Sequence, residues 1–323
     1  MKKRIIILGS VVVFVLLAWS VAWFVLAGIV RQNVEALAQA DGVNEPRLAC
    51  ETLGVGGFPF RFDVECQTAE ITSGDFTVAV PDIRASVRAY APTHLLASAR
   101  GPVEIADNFT GTRNRVTWST LDASIRVADW RIARLSISGK DVVWSDTLFG
   151  DNTIAQTALA ELHLFDIPEQ HDAERHLASL AGYLRTQDLT YPAVTLSNAT
   201  AEVELELTGM PDDIRNWSDP NLLPVLQANG SELRIVSVHA TDADATLDAD
   251  GKLALDPQGL VNGQIAIRST GVAERIGPMI EEPWRTLVLG TPGADGTYAN
   301  QLNFSGGVMS SGLVPVTAIP PLF

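Results

Sequence analysis

The uncharged run from Ile5 to Val30 constrains this chain more than any other feature. At the helical rise of about 1.5 Å per residue it extends roughly 39 Å, enough to cross a bilayer with some tilt. Lys2, Lys3 and Arg4 precede it, and Trp19 and Trp23 fall toward its far end, where indoles settle near lipid headgroups. A cleaved signal peptide has an apolar region of only about 7–15 residues, and no Ala-Xaa-Ala signature follows this run. The expectation is an uncleaved signal anchor over residues 1–30 and a juxtamembrane linker over 31–44. The basic cluster places the N-terminus in the cytosol and residues 31–323 outside it. No second long apolar run returns the chain, so a single pass is expected.

Charge narrows the partners. With the three leader cations set aside, 20 of the 23 Lys and Arg remain against 38 Asp and Glu, a net charge of about −18. That argues against nucleic acid and against broad attraction to anionic headgroups. The charges are dispersed, and 46% hydrophobic content suffices for a packed core rather than disorder.

Most of the exported chain reads as strand. Leu121, Ala123, Ile125 and Val127 alternate with Asp122, Ser124 and Arg126, and the alternation resumes at Trp130 and Leu135. Period-two patterning means one buried face and one wet face. Similar runs occur at Phe76–Val80, Ala201–Leu207, Glu232–Val238 and Gly263–Ile267, separated by glycine-containing breaks. One helix is expected over 166–190, where Ala173, His176, Leu177, Leu180 and Leu184 share a three-and-four spacing. Weaker helices are expected at Pro220–Ala228 and Gly271–Leu289. The fold class is therefore mainly β, with β-rich regions at 45–165 and 191–323 flanking that helix. They form either two similar halves or one long curved antiparallel sheet.

The segment "TLDADGKLALDPQGLVNGQIAIRSTG" and the tail "LNFSGGVMSSGLVPVTAIPPLF" are similar to the hairpins of AsmA-like bacterial envelope proteins. More of the chain resembles an uncharacterised bacterial family known only as a numbered domain of unknown function. That resemblance rests on the anchor, the "GGFPFRFDVEC" block at Gly56–Cys66 and the Pro-rich end. It implies a β-rich protein of the bacterial inner membrane with its bulk in the periplasm, and it carries no catalytic residues.

No catalytic or metal pattern emerges from the residues themselves. There is no Gly-Xaa-Ser-Xaa-Gly elbow, no His-Glu-Xaa-Xaa-His and no phosphate loop. His171 and His176 are out of phase on a helix. The acids Asp242, Asp244, Asp248 and Asp250 lack calcium-loop spacing and read as the wet face of a strand. The expectation is a protein without enzymatic activity, cofactor or metal.

A hydrolase ranks last because no nucleophile or metal set emerges, and two functions rank above it. One is a module that binds or handles lipid or another apolar ligand in the envelope, as the AsmA-like resemblance implies. Its candidate groove is Leu121, Ile125 and Val127 with Val203, Leu205 and Leu207. The other is a scaffold or assembly factor that binds other envelope proteins. Cys50 and Cys66 lie in the oxidising compartment on either side of a glycine-rich reversal, with Phe60, Phe62, Val64 and Cys66 on one strand face. A Cys50–Cys66 disulfide across a hairpin is expected.

Overall fold

The computed structural model describes residues 2–43, 45–217, 219–276 and 280–323. The chain divides into two compact units, Met1–Asp122 with Ser145–Asn152, and Ala123–Trp144 with Thr153–Phe323. Among the described residues there are seventeen strands, all antiparallel where their register is defined, as the period-two patterning predicts. The expected division into regions of 45–165 and 191–323 does not coincide with these units.

The first unit starts with helix α1 (Lys2–Leu37). It is long and apolar enough to cross a membrane. It does not stop at Val30. It runs through most of the segment expected to be a linker, where Arg31 and Glu35 sit one turn apart at 3.9 Å. The strands that follow are β1 (Arg47–Gly56), β2 (Arg61–Ser73), β3 (Phe76–Arg88), β4 (Ala91–Arg100), β5 (Val103–Asp107) and β6 (Arg113–Thr117). β1, β2, β3 and β4 pair in chain order, and β5 continues the edge of β3 beyond β4.

The β1–β2 hairpin contains the disulfide. Cys50 and Cys66 are bonded, with their Cα atoms 5.3 Å apart. They are not directly opposed, because Cys50 faces Ala69 and Cys66 faces Leu53. Between them on β2, Thr68 takes a left-handed φ of +50°. The bridge is part of the unit's core. Cys66, Ala69 and Val80 are buried together, and Leu48, Val78, Ile83 and Ala99 pack against them.

The tip of the same hairpin, Gly57-Phe58-Pro59-Phe60, docks on α1. Trp23 stacks flat on Phe62 (centroids 5.5 Å, planes 5° apart) and meets Phe58 edge-on at 5.5 Å. The indole N–H of Trp23 donates to the Arg61 carbonyl at 2.9 Å, and that of Trp19 donates to the Pro59 carbonyl at 2.9 Å. About two turns beyond Trp23, Arg31 donates to the Leu53 carbonyl at 2.9 Å. Trp23 is only 4% exposed, its indole packed against the hairpin. Gly57 makes the tip possible. Its φ is +96°, and a Cβ there would sit 2.8 Å from the Arg61 carbonyl oxygen.

β7 (Thr120–Ala128) begins at the end of the first unit and continues into the second, and β8 (Arg131–Asp146) lies mostly in the second. The second unit continues with β9 (Asn152–Asp166), β10 (Leu177–Tyr191), β11 (Leu196–Pro211), β12 (Glu232–Thr241), β13 (Thr246–Leu255), β14 (Val261–Thr270), β15 (Tyr298–Ser305), β16 (Val308–Ser311) and β17 (Val314–Ala318). From β9 to β17 every strand pairs with its predecessor, which makes an uninterrupted meander. Short helices α2 (Leu222–Ala228), α3 (Val272–Ile276) and α4 (Trp284–Leu289) fall where the weaker helical patterns are.

The helix expected over 166–190 is absent. That stretch holds a single 3-10 turn at Pro168–Gln170 and then β10. Leu180 and Leu184 satisfy either period, since a spacing of four is one helical turn and also two strand repeats. Gly182 weakens a helix by about 1 kcal/mol relative to alanine. Pairing with both β9 and β11 then satisfies the β10 backbone on each side. Off the helix, His171 and His176 converge after all. Their ring nitrogens lie 3.3 and 3.5 Å from the same Asp212 carboxylate oxygen.

Candidate functional site

The second unit presents one continuous apolar sheet face. Directly paired residues of antiparallel strands point to the same side. Across β10, β11 and β12 the pairing aligns Leu184 with Val203 and Val238, Gly182 with Leu205 and Ile235, and Leu180 with Leu207 and Leu233. The rows continue through Ala249, Gly251 and Leu253 on β13 to Ile267 and Ile265 on β14. The other face is charged. Glu202, Glu204 and Glu206 alternate with the apolar residues of β11, and Arg185–Glu202 (3.3 Å) and Arg234–Glu206 (3.0 Å) pair across strands.

That apolar face is only partly covered. Over its β15 end lies α4, held by Asn300, whose side-chain amide donates to the Leu287 and Val288 carbonyls at 2.8 and 2.9 Å. Asn300 stands opposite Ile267, so the helix sits on the apolar side, with Leu289 buried beneath it. Over β10–β12 the cover is thin. Val203, Leu205 and Leu207 are half-buried, and Leu184 is 42% exposed.

The row through Val203 and Val238 continues to Ala201 and Ala240 and ends in an apolar cavity of about 240 Å³. Leu189, Leu196, Ala199, Leu247 and Val272 line it. An ion pair closes it. Arg275 on α3 contacts both carboxylate oxygens of Asp242, one of them at 2.8 Å, and the Asp242 side chain is 1% exposed. The same carboxylate accepts the backbone N–H groups of Asp244 and Ala245, both at 2.9 Å. Burial pushes the Asp242 carboxyl up, but these hydrogen bonds and the guanidinium outweigh it and hold it below the ordinary carboxylate value. The acidic stretch is therefore not a uniformly wet strand. Strand β13 starts only at Thr246, and Asp242 belongs to the turn before it, its carboxylate turned inward.

Each residue expected to line a groove is half-buried on a strand. Val203, Leu205 and Leu207 stand in the middle of the apolar face. Leu121, Ile125 and Val127 are on β7, which does not neighbour β11, so the strand pairing does not bring the two sets together. Sequence reasoning missed Leu180, Leu184, Ile235 and the cavity, because the first two were assigned to a helix. It also missed the Asp242–Arg275 pair, whose partners are joined only by tertiary packing. Among the described residues no group of three or more His, Cys, Asp or Glu is placed to hold a metal ion.

Fold and site together define a class: a β-sheet protein with an N-terminal apolar helix docked on its first hairpin and a partly uncovered apolar sheet face. Residues 23–320 match the family described as "Uncharacterized protein conserved in bacteria (DUF2125)", and the chain belongs to that family. No curated protein and no solved structure matches it, and these comparisons do not show a likeness to AsmA-like proteins.

Proposed function

We propose that this is a protein of the bacterial inner membrane, anchored by α1 with its β-sheet in the periplasm, that holds lipid or a comparable apolar ligand on the open face of β10–β12. The observation that carries this reading is the aligned block of Leu184, Val203, Leu205 and Ile235, half-buried or exposed and lacking the second layer that covers β15. In water such a face is costly to leave bare, and each methylene an acyl chain covers there contributes about 0.8 kcal/mol. The mostly apolar cavity beside Ala201, closed by the Asp242–Arg275 pair, offers an end for the chain to enter. The sequence resemblance of residues 246–271 and 302–323 to AsmA-like hairpins supports the same reading.

Site-specific photo-crosslinking in cells tests it. A crosslinker at Leu205 is expected to capture lipid, whereas one at Glu204, on the opposite face of the same strand, is expected to capture none. Equal capture at both positions, or protein adducts alone at Leu205, would overturn the lipid reading and favour a scaffold for envelope proteins.

A further inference from the structure

We infer that the aromatic tip of the β1–β2 hairpin is a second membrane-inserted element, seated in the leaflet distal to Lys2–Arg4. This rests on α1 spanning the bilayer, and not on what the apolar face of the second unit binds.

The depth of the tip follows from α1. From Arg4 the helix reaches Trp19 after about 23 Å and Trp23 after about 29 Å, against a hydrocarbon core of about 30 Å. With α1 upright and its basic end at the near boundary, Trp19 and Trp23 therefore lie just inside the far boundary. Tilting the helix so that the whole run to Val30 fits within the core carries both indoles deeper. In either limit the chain segment hydrogen-bonded to those indoles, Pro59 and Arg61, is at or below the boundary.

The chemistry of the tip matches that position. Phe58 and Phe60 are 50% and 58% exposed although both contact helix tryptophans. The β3–β4 turn lies beside them through the Ala89 N–H, which donates to the Phe60 carbonyl at 2.9 Å, and it adds Tyr90. Next along the strands come Arg61 and Arg88, paired in register. Exposed aromatics followed by guanidinium groups, on an otherwise acidic domain, suit a hydrocarbon edge followed by lipid phosphates. A soluble tip would leave these rings in water for no gain.

The test uses the full chain in vesicles of phosphatidylethanolamine and phosphatidylglycerol, with a photo-crosslinking phenylalanine analogue at one position at a time. Phe14 reports the span itself, and Phe58 and Phe60 report the tip. Phe109 is the control, an exposed ring at the other end of the unit, about 40 Å away along β3. Non-reducing peptide mapping first confirms the Cys50–Cys66 bridge in each protein. Lipid adducts at Phe14, Phe58 and Phe60 with none at Phe109 are expected. Adducts at Phe14 alone would overturn the inserted tip and leave the anchor standing. Their absence from Phe14 as well would overturn both. A Phe60→Ser chain carrying the analogue at Phe58 is expected to lose most of its Phe58 adducts, and unchanged capture there would count against the tip acting as a unit.

Discussion

Trp23 and Phe62 lie face to face with planes 5° apart, and the Trp23 indole N–H is spent on the neighbouring Arg61 carbonyl. The long apolar helix α1 and the first hairpin of the sheet are thereby one packed body. Phe62 is on the same strand as Val64 and the bridged Cys66, at the same alternating positions.

Replacing Trp23 by alanine removes the stack, the edge contact with Phe58 and a hydrogen bond at once. A loss of about 3–5 kcal/mol in the docking of α1 on the hairpin is expected. Limited proteolysis between Leu37 and Arg47 reads it as faster cleavage, and Trp23→Phe is expected to fall between the two.

Breaking the bridge acts on the unfolded chain more than on the folded one. Replacing both Cys50 and Cys66 by serine frees a loop of about 15 residues, worth roughly 3 kcal/mol in the chain-entropy model. Urea unfolding of the first unit is expected to shift by that amount, and reductant is expected to shift the parent protein but not the variant.

The Asp242–Arg275 pair makes stability depend on acid. The folded Asp242 carboxyl titrates below its unfolded value near 3.8. Its contribution is complete above that value and is lost as pH falls through the lower folded one. Asp242→Asn keeps an acceptor for the Asp244 and Ala245 amides but strands the Arg275 guanidinium. A loss of about 3–5 kcal/mol at neutral pH is expected, together with a weaker acid dependence below about pH 4 in denaturant titrations.

Leu180 and Leu184 point from the same side of β10, yet one is 7% and the other 42% exposed. Leu180→Ala is expected to cost about 2–5 kcal/mol, and Leu184→Ala below about 1 kcal/mol. Added lipid is expected to stabilise the parent more than the Leu184→Ala chain. Equal costs without lipid would mean that the face is already covered.

How much of this was legible in the sequence depended on how local the cause is. Strands such as β11 and β14 announced themselves because alternation is a property of consecutive residues. The long apolar helix did so by its length, and the Cys50–Cys66 pair by its position on either side of a glycine-rich reversal. The open face was only half legible, with Val203, Leu205 and Leu207 visible but Leu180 and Leu184 assigned to a helix that the same spacing allows. Docking of Trp23 on Phe62 and of Arg275 on Asp242 joins residues far apart in the chain. Nothing in their neighbours records those contacts, so neither the docking of the indoles on the hairpin nor the burial of Asp242 is legible in the sequence.

The uninterrupted meander from β9 to β17 has a bearing on biogenesis. Because each strand pairs with the one before it, a chain threaded N-terminus first can add strands to a growing edge as they emerge, without waiting for a distant partner. The loop-closure cost at each addition is that of one short turn. The hairpin clasped to α1 is complete by Ser73, well before the rest of the chain has been made. Such a polypeptide need never expose a long unpaired sheet, and its first-made part is the part already packed on the apolar helix.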